Sequence, residues 1–154
     1  MHILAEKEKR VREVSTPNQE DYLEAIWRLT QEKGYARVSD IADRLHISQA
    51  SVSKMIRKLK ADGWLDVERY RGLALTPKGM AEGRQLLARH QILERFLLHL
   101  AIHEGSIVDH DVEGIEHYFS VETLDRLTTL VAFIDQNPLW WDKFLQKIPP
   151  ASKP

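Results

Sequence analysis

A chain of 154 residues, 43% hydrophobic and 29% charged, is long enough for one packed core or two small modules, and for no more. With no cysteine it has neither disulfides nor thiolate ligands, so any metal must be held by carboxylate, imidazole, carbonyl or water. The net charge of −1 hides a split: residues 33–78 carry ten Lys and Arg against five Asp and Glu, whereas residues 79–154 carry seven against eleven and hold five of the seven histidines. A basic module suits phosphate, and an acidic, histidine-rich one suits cations. No apolar run approaches the ~18 residues of a membrane span, and the N-terminal residues turn charged too early for a signal peptide. A cytoplasmic location without membrane contact is the expectation.

Residues 1–14 read as a charged arm. The first firm helix starts at Thr16-Pro17-Asn18-Gln19, a cap, a proline at the first position and a capping-box glutamine, and runs to about Lys33 with Gly34 ending it. A short helix capped by Ser39 runs to Leu45. After the His46-Ile47 turn, Ser48 caps a third helix from Gln49 to about Asp62, stopped by Gly63. Two short helices joined by a tight turn form a helix-turn-helix. On the third, Val52, Met55, Ile56 and Leu59 face inward, and Ala50, Ser53, Lys54, Arg57 and Lys58 face outward.

The period then changes to two. Trp64 to Glu68 and Leu73 to Leu75 read as strands of a hairpin whose tip, Arg69-Tyr70-Arg71-Gly72, is basic. A basic hairpin beside a recognition helix is a wing. Thr76-Pro77 opens a long connecting helix through Leu100. Three further helices follow: Ile107 to about Tyr118, one capped by Ser120, and one starting at Asn137-Pro138 with Trp140 and Trp141. They have more apolar surface than they can bury among themselves, and Phe119, Phe133, Trp140 and Trp141 read as core or dimer-interface residues. The fold class is mainly α: an N-terminal winged helix-turn-helix domain with a small β-hairpin wing (15–76), a connecting helix (77–102) and a C-terminal helical metal-binding and dimerisation domain (103–154).

Two constellations carry chemistry. Lys54, Arg57 and Lys58, with Arg69 and Arg71 on the hairpin, can reach DNA phosphates, while Gln49 and Ser51 near the start of the third helix can address base edges; Ser53 on the outward face and Tyr70 on the hairpin are further DNA-contact candidates. In the stretch DVEGIEH, Glu113, Glu116 and His117 share one face if the segment is helical throughout. Asp21 and Glu24 by themselves read as a solvated face, and His90 as an ordinary polar residue. On the residues alone a mononuclear site is the most that is supported. His99 and His103, another i, i+4 pair, read as exposed and without a ligand role.

The stretches QEDYLEAIWRLTQEKGYARVSDIADRL, SQASVSKMIRKLKADGWLDVERYRGLALTPKG, RHQILERFL and HDVEGIEHYFS resemble the diphtheria toxin repressor family of metal-dependent repressors, in its small manganese-responsive branch, which lacks the SH3-like C-terminal domain of the larger relatives. The similarity covers roughly residues 16–136. It implies a homodimer that binds double-stranded operator DNA when Mn(II), two ions per subunit, occupies a site formed by Asp21, Glu24, His90, Glu113, Glu116 and His117, controlling manganese uptake genes. Asp21 stands where relatives tuned to iron use methionine. A regulator answering to Fe(II) or to a small organic ligand is the alternative. A hydrolytic two-metal enzyme is disfavoured, because no HExxH is present and a basic winged helix would have no purpose in it.

Overall fold

The computed structural model describes residues 15–68 and 72–150. The chain divides into two compact units, residues 1–87 and 88–154.

In the first unit, α1 (Pro17–Lys33), α2 (Val38–Leu45) and α3 (Gln49–Ala61) precede an antiparallel hairpin of β1 (Leu65–Glu68) and β2 (Gly72–Leu75). The start of α4 (Pro77–His99) completes it. The local signals act as expected at most ends. Thr16 Oγ1 accepts from the Gln19 N–H at 3.3 Å while Gln19 Oε1 accepts from the Thr16 N–H at 3.0 Å. Gly34 closes α1 at φ +81°. Ser48 Oγ accepts from the Ser51 N–H at 3.1 Å, and Thr76 Oγ1 from the Gly79 N–H at 3.1 Å.

Two local features of this unit differ from expectation. Helix α2 begins at Val38, with Arg37 as its cap position and Asp40 at N3 reaching back to the Arg37 N–H at 3.2 Å. Ser39 therefore lies inside the helix and is not its cap, and Asp40 also accepts from Lys33 Nζ at 3.1 Å. Gly72 lies in β2, opposite Glu68, and is not part of the tip. At φ +91°, a Cβ there would stand 2.5 Å from the Ala36 carbonyl oxygen. That oxygen accepts from the Leu73 N–H at 2.8 Å, so Ala36 pairs with the hairpin as an isolated bridge.

Leu23, Ile26, Ile41, Val52 and Leu59 are fully enclosed, joined by Trp64, Leu65 and Leu86. Each such side chain contributes about 1.5–3 kcal/mol by leaving water. The amphipathic stripes of α1 and α3 therefore fix which face of α3 is left to solvent.

The second unit begins within α4 and continues with α5 (Gly105–Ile115), a 3₁₀ turn at Glu116–Tyr118, α6 (Val121–Gln136) and α7 (Pro138–Leu145). Helix α4 ends at His99, short of the expected boundary, in a left-handed turn at Ala101 (φ +62°) where the Ile102 N–H returns to the Leu97 carbonyl at 3.3 Å. The core is small: Leu93, Leu97, Val108 and Val112, with Phe96, Phe119 and Leu124 packed against it. Ser120 caps α6, accepting from the Thr123 N–H at 3.1 Å. Of the two histidines expected to be exposed, His103 is, whereas His99 is only partly so. Its Nε2 lies 2.9 Å from Asp135 Oδ1, and its carbonyl accepts from Trp141 Nε1 at 2.8 Å. Among the described residues no helix is long and apolar enough to cross a membrane.

Candidate metal centre and DNA-reading face

In the first unit, one turn of α1 separates Asp21 from Glu24, and Glu24 is the more buried. Arg28, one turn further on, donates from Nε and Nη2 to Glu24 Oε1 at 2.9 and 2.7 Å. This fork orients the carboxylate and balances its charge. Burial raises the Tyr22 phenol above its usual pKa of 10.0, and the adjacent Asp21 charge adds to the effect.

In the second unit, α4 presents Arg89 and His90 in succession. Glu116 follows the last α-helical residue of α5, and its residue is only 4% exposed. His90 Nδ1 lies 3.0 Å from Glu116 Oε2, and His117 Nε2 lies 3.7 Å from Glu116 Oε1. A buried carboxylate thus holds an imidazole near each of its oxygens. Arg89 Nη1 donates to the Glu116 carbonyl at 3.0 Å and so fastens the backbone at the point where α5 gives way to the 3₁₀ turn.

That change of helix type corrects the single-face expectation for Glu113, Glu116 and His117. Glu113 remains on α5 and is exposed, whereas Glu116 and His117 belong to the turn and are turned inward. Gly114, a poor helix former, lies just before the break. Of the expected second-unit ligands, His90, Glu116 and His117 gather, and Glu113 stands apart. Carboxylate oxygen and imidazole nitrogen, with one imidazole beside each oxygen of the buried Glu116, are donors that suit a borderline-to-hard divalent cation.

On α3, Gln49, Ser51, Lys54, Arg57 and Lys58 are exposed and Ser53 is partly so, opposite the buried Val52, Ile56 and Leu59. Ser51 Oγ shares a 2.9 Å hydrogen bond with Ser48 Oγ. Arg69, Tyr70 and Arg71 lie outside the described residues.

Residues 15–73 match the iron dependent repressor N-terminal DNA binding domain, and residues 76–139 match the iron dependent repressor metal binding and dimerisation domain. The HTH-type transcriptional regulator MntR of Listeria welshimeri is 50% identical over 123 residues, which is 80% of this chain and 86% of that one. The chain belongs to the diphtheria toxin, or iron dependent, repressor family. Solved structures of family members agree with the fold. The metal-dependent transcriptional regulator MtsR aligns with a TM-score of 0.70 at 32% identity, and the manganese regulator SloR with 0.68 at 28%. Each alignment covers 77% of this chain, which spans only 55% of either of those chains. The family membership makes this protein a metal-dependent transcriptional repressor with a DNA-binding and a metal-binding segment.

Two positioning residues escaped the sequence reading. The Glu24–Arg28 spacing is an i, i+4 ion pair that was visible in the sequence. Arg89 reaches a carbonyl 27 positions away, for which no local signal exists.

Proposed function

We propose that this repressor answers to Mn(II), binds operator DNA as a homodimer and controls manganese uptake genes. The observation that carries the reading is the buried Glu116 carboxylate flanked by the His90 and His117 imidazoles. The relationship to a structure described as a manganese regulator supports the choice of metal. The proposed ligands are Asp21, Glu24, His90, Glu113, Glu116 and His117. Two divalent cations would supply four positive charges against the four carboxylates of this set.

The chain's own groups prepare the set. Arg28 orients Glu24, and Arg89 fixes the Glu116 backbone. Exposed Glu113 must turn inward to take part, so it is the ligand whose recruitment depends most on the cation. For DNA, Gln49, Ser51 and Ser53 address base edges, and Lys54, Arg57 and Lys58 meet phosphates together with Arg69, Tyr70 and Arg71 of the wing. In a dimer the two reading helices must match half-sites separated by about 34–36 Å or a multiple of it.

The test is operator binding across Mn(II), Fe(II), Zn(II) and chelator at buffered free-ion concentrations. Mn(II) is expected to tighten binding about 5–150-fold, and operator DNA to tighten Mn(II) binding by the same factor. Chelated protein that holds the duplex as firmly as Mn(II)-loaded protein would remove the reading, and a response confined to Fe(II) would change the metal. His90→Ala and Glu113→Ala are expected to lose the Mn(II) response while keeping the fold.

A further inference from the structure

Asp62 breaks a local rule. It occupies the C-terminal cap position of α3, where the helix presents its negative end, and its own N–H returns to the Lys58 carbonyl at 2.9 Å. Cations belong there, and Lys58 and Lys60 supply them in the last turn. A carboxylate at that end needs a donor from elsewhere. Gln19 provides it: Nε2 donates to Asp62 Oδ2 at 2.7 Å, across 43 positions of sequence. Gln19 is only 2% exposed, and both ends of its amide are engaged, because Oε1 accepts from the Thr16 N–H at 3.0 Å. The residue just before the cap is held to α4 as well, by Ser15 Oγ donating to Glu82 Oε1 at 2.7 Å.

We propose that Gln19 is a positioning residue: its buried amide ties the helix that carries Asp21 and Glu24 to the end of the DNA-reading helix, so that a change in the setting of α1 is passed to α3. Asp21 and Glu24 follow Gln19 within the next turn and a half of α1. A buried amide bridging to a carboxylate transmits a displacement of one helix more faithfully than the aliphatic contacts around it, because a hydrogen bond has direction and fails when misaligned. The inference rests on the metal-dependent reading above.

Gln19→Glu tests it with little change of shape. The variant keeps an oxygen for the Thr16 N–H and puts an acceptor where Asp62 needs a donor. Gln19→Glu combined with Asp62→Asn restores a hydrogen bond of reversed polarity. Operator affinity of the full chain is measured with Mn(II) and with chelator, alongside Mn(II) affinity without DNA and thermal unfolding. Wild type is expected to show the Mn(II) enhancement, and Gln19→Glu to lose roughly tenfold of it, the scale of a hydrogen bond to a charged group. Its chelated DNA affinity and its DNA-free Mn(II) affinity should stay within about twofold of wild type, the spread expected of uncoupled sites. The double variant should recover the enhancement.

The proposal is overturned if Gln19→Glu keeps the full enhancement, if it lowers loaded and chelated affinities by one common factor, or if the double variant recovers nothing. A wild-type protein without any Mn(II) enhancement overturns the parent reading itself, and this coupling with it.

Discussion

The two units spend their apolar residues differently. The first buries Leu23, Ile26, Ala36, Ile41, Val52 and Leu59 to 0% exposure and leaves a basic helix face outside. The second encloses a few aliphatics and leaves Tyr118, Val121 and Leu139 at 82%, 74% and 79% exposure, with Phe133 and Trp140 about half out. Side chains in the first are therefore answerable mainly to their own core. Those of the second keep apolar surface in reserve, in the segment that matches a dimerisation domain.

The sharpest test of that contrast is stability. Ile26→Ala is expected to cost about 2–5 kcal/mol in denaturant unfolding, because its cavity cannot collapse, whereas Leu139→Ser should change the unfolding of a dilute sample by under ~0.5 kcal/mol. Equal losses would erase the difference between the units.

Next in size is the ligand set. Glu116→Ala should weaken Mn(II) binding about 10–100-fold or more, and Arg89→Ala, which frees the Glu116 backbone without touching a donor atom, should weaken it toward the lower end of that range. Isothermal titration of the two variants measures this, and an Arg89→Ala protein with wild-type affinity would show that the turn holds itself.

Charge on the first unit should act on DNA alone. Lys54→Ala and Arg57→Ala are each expected to lower the slope of log affinity against log salt by about 1, across all sequences. Lys143→Ala in the second unit should leave it unchanged.

Two smaller effects probe the backbone and the interior. Ala101→Gly removes a Cβ from a left-handed position and should stabilise the protein by up to about 1 kcal/mol, read as a raised Tm. Tyr22 has a folded pKa above its unfolded one, so the folded state keeps its proton longer. That contribution is complete below pH ~10 and is lost as pH rises through the unfolded and then the folded pKa. Tyr22→Phe should therefore flatten the alkaline end of the stability curve.

What could be read from the residues was what adjacent residues decide. Thr16, Ser48, Thr76 and Ser120 each cap the helix that follows them, because a cap closes over two or three positions. The one misplaced cap is equally local: the helix starts ahead of Ser39, and Asp40 reaches back from its first turn to the Arg37 N–H. The apolar stripes of α1 and α3 also settled which face of the reading helix is outward. The proposed ligands were legible only through resemblance to a family.

The sequence by itself determined the helical succession, the winged-helix order, the charge split and the absence of thiolate chemistry, all of which follow from composition and short-range periodicity. Only the tertiary structure decided that Glu116 turns inward while Glu113 stays out, that Ala36 joins the hairpin, and that Gln19 and Asp62 meet. Each of these depends on a hydrogen bond across 26 to 43 positions or on backbone closing over a neighbour, and chain separation erases such pairings from any local pattern.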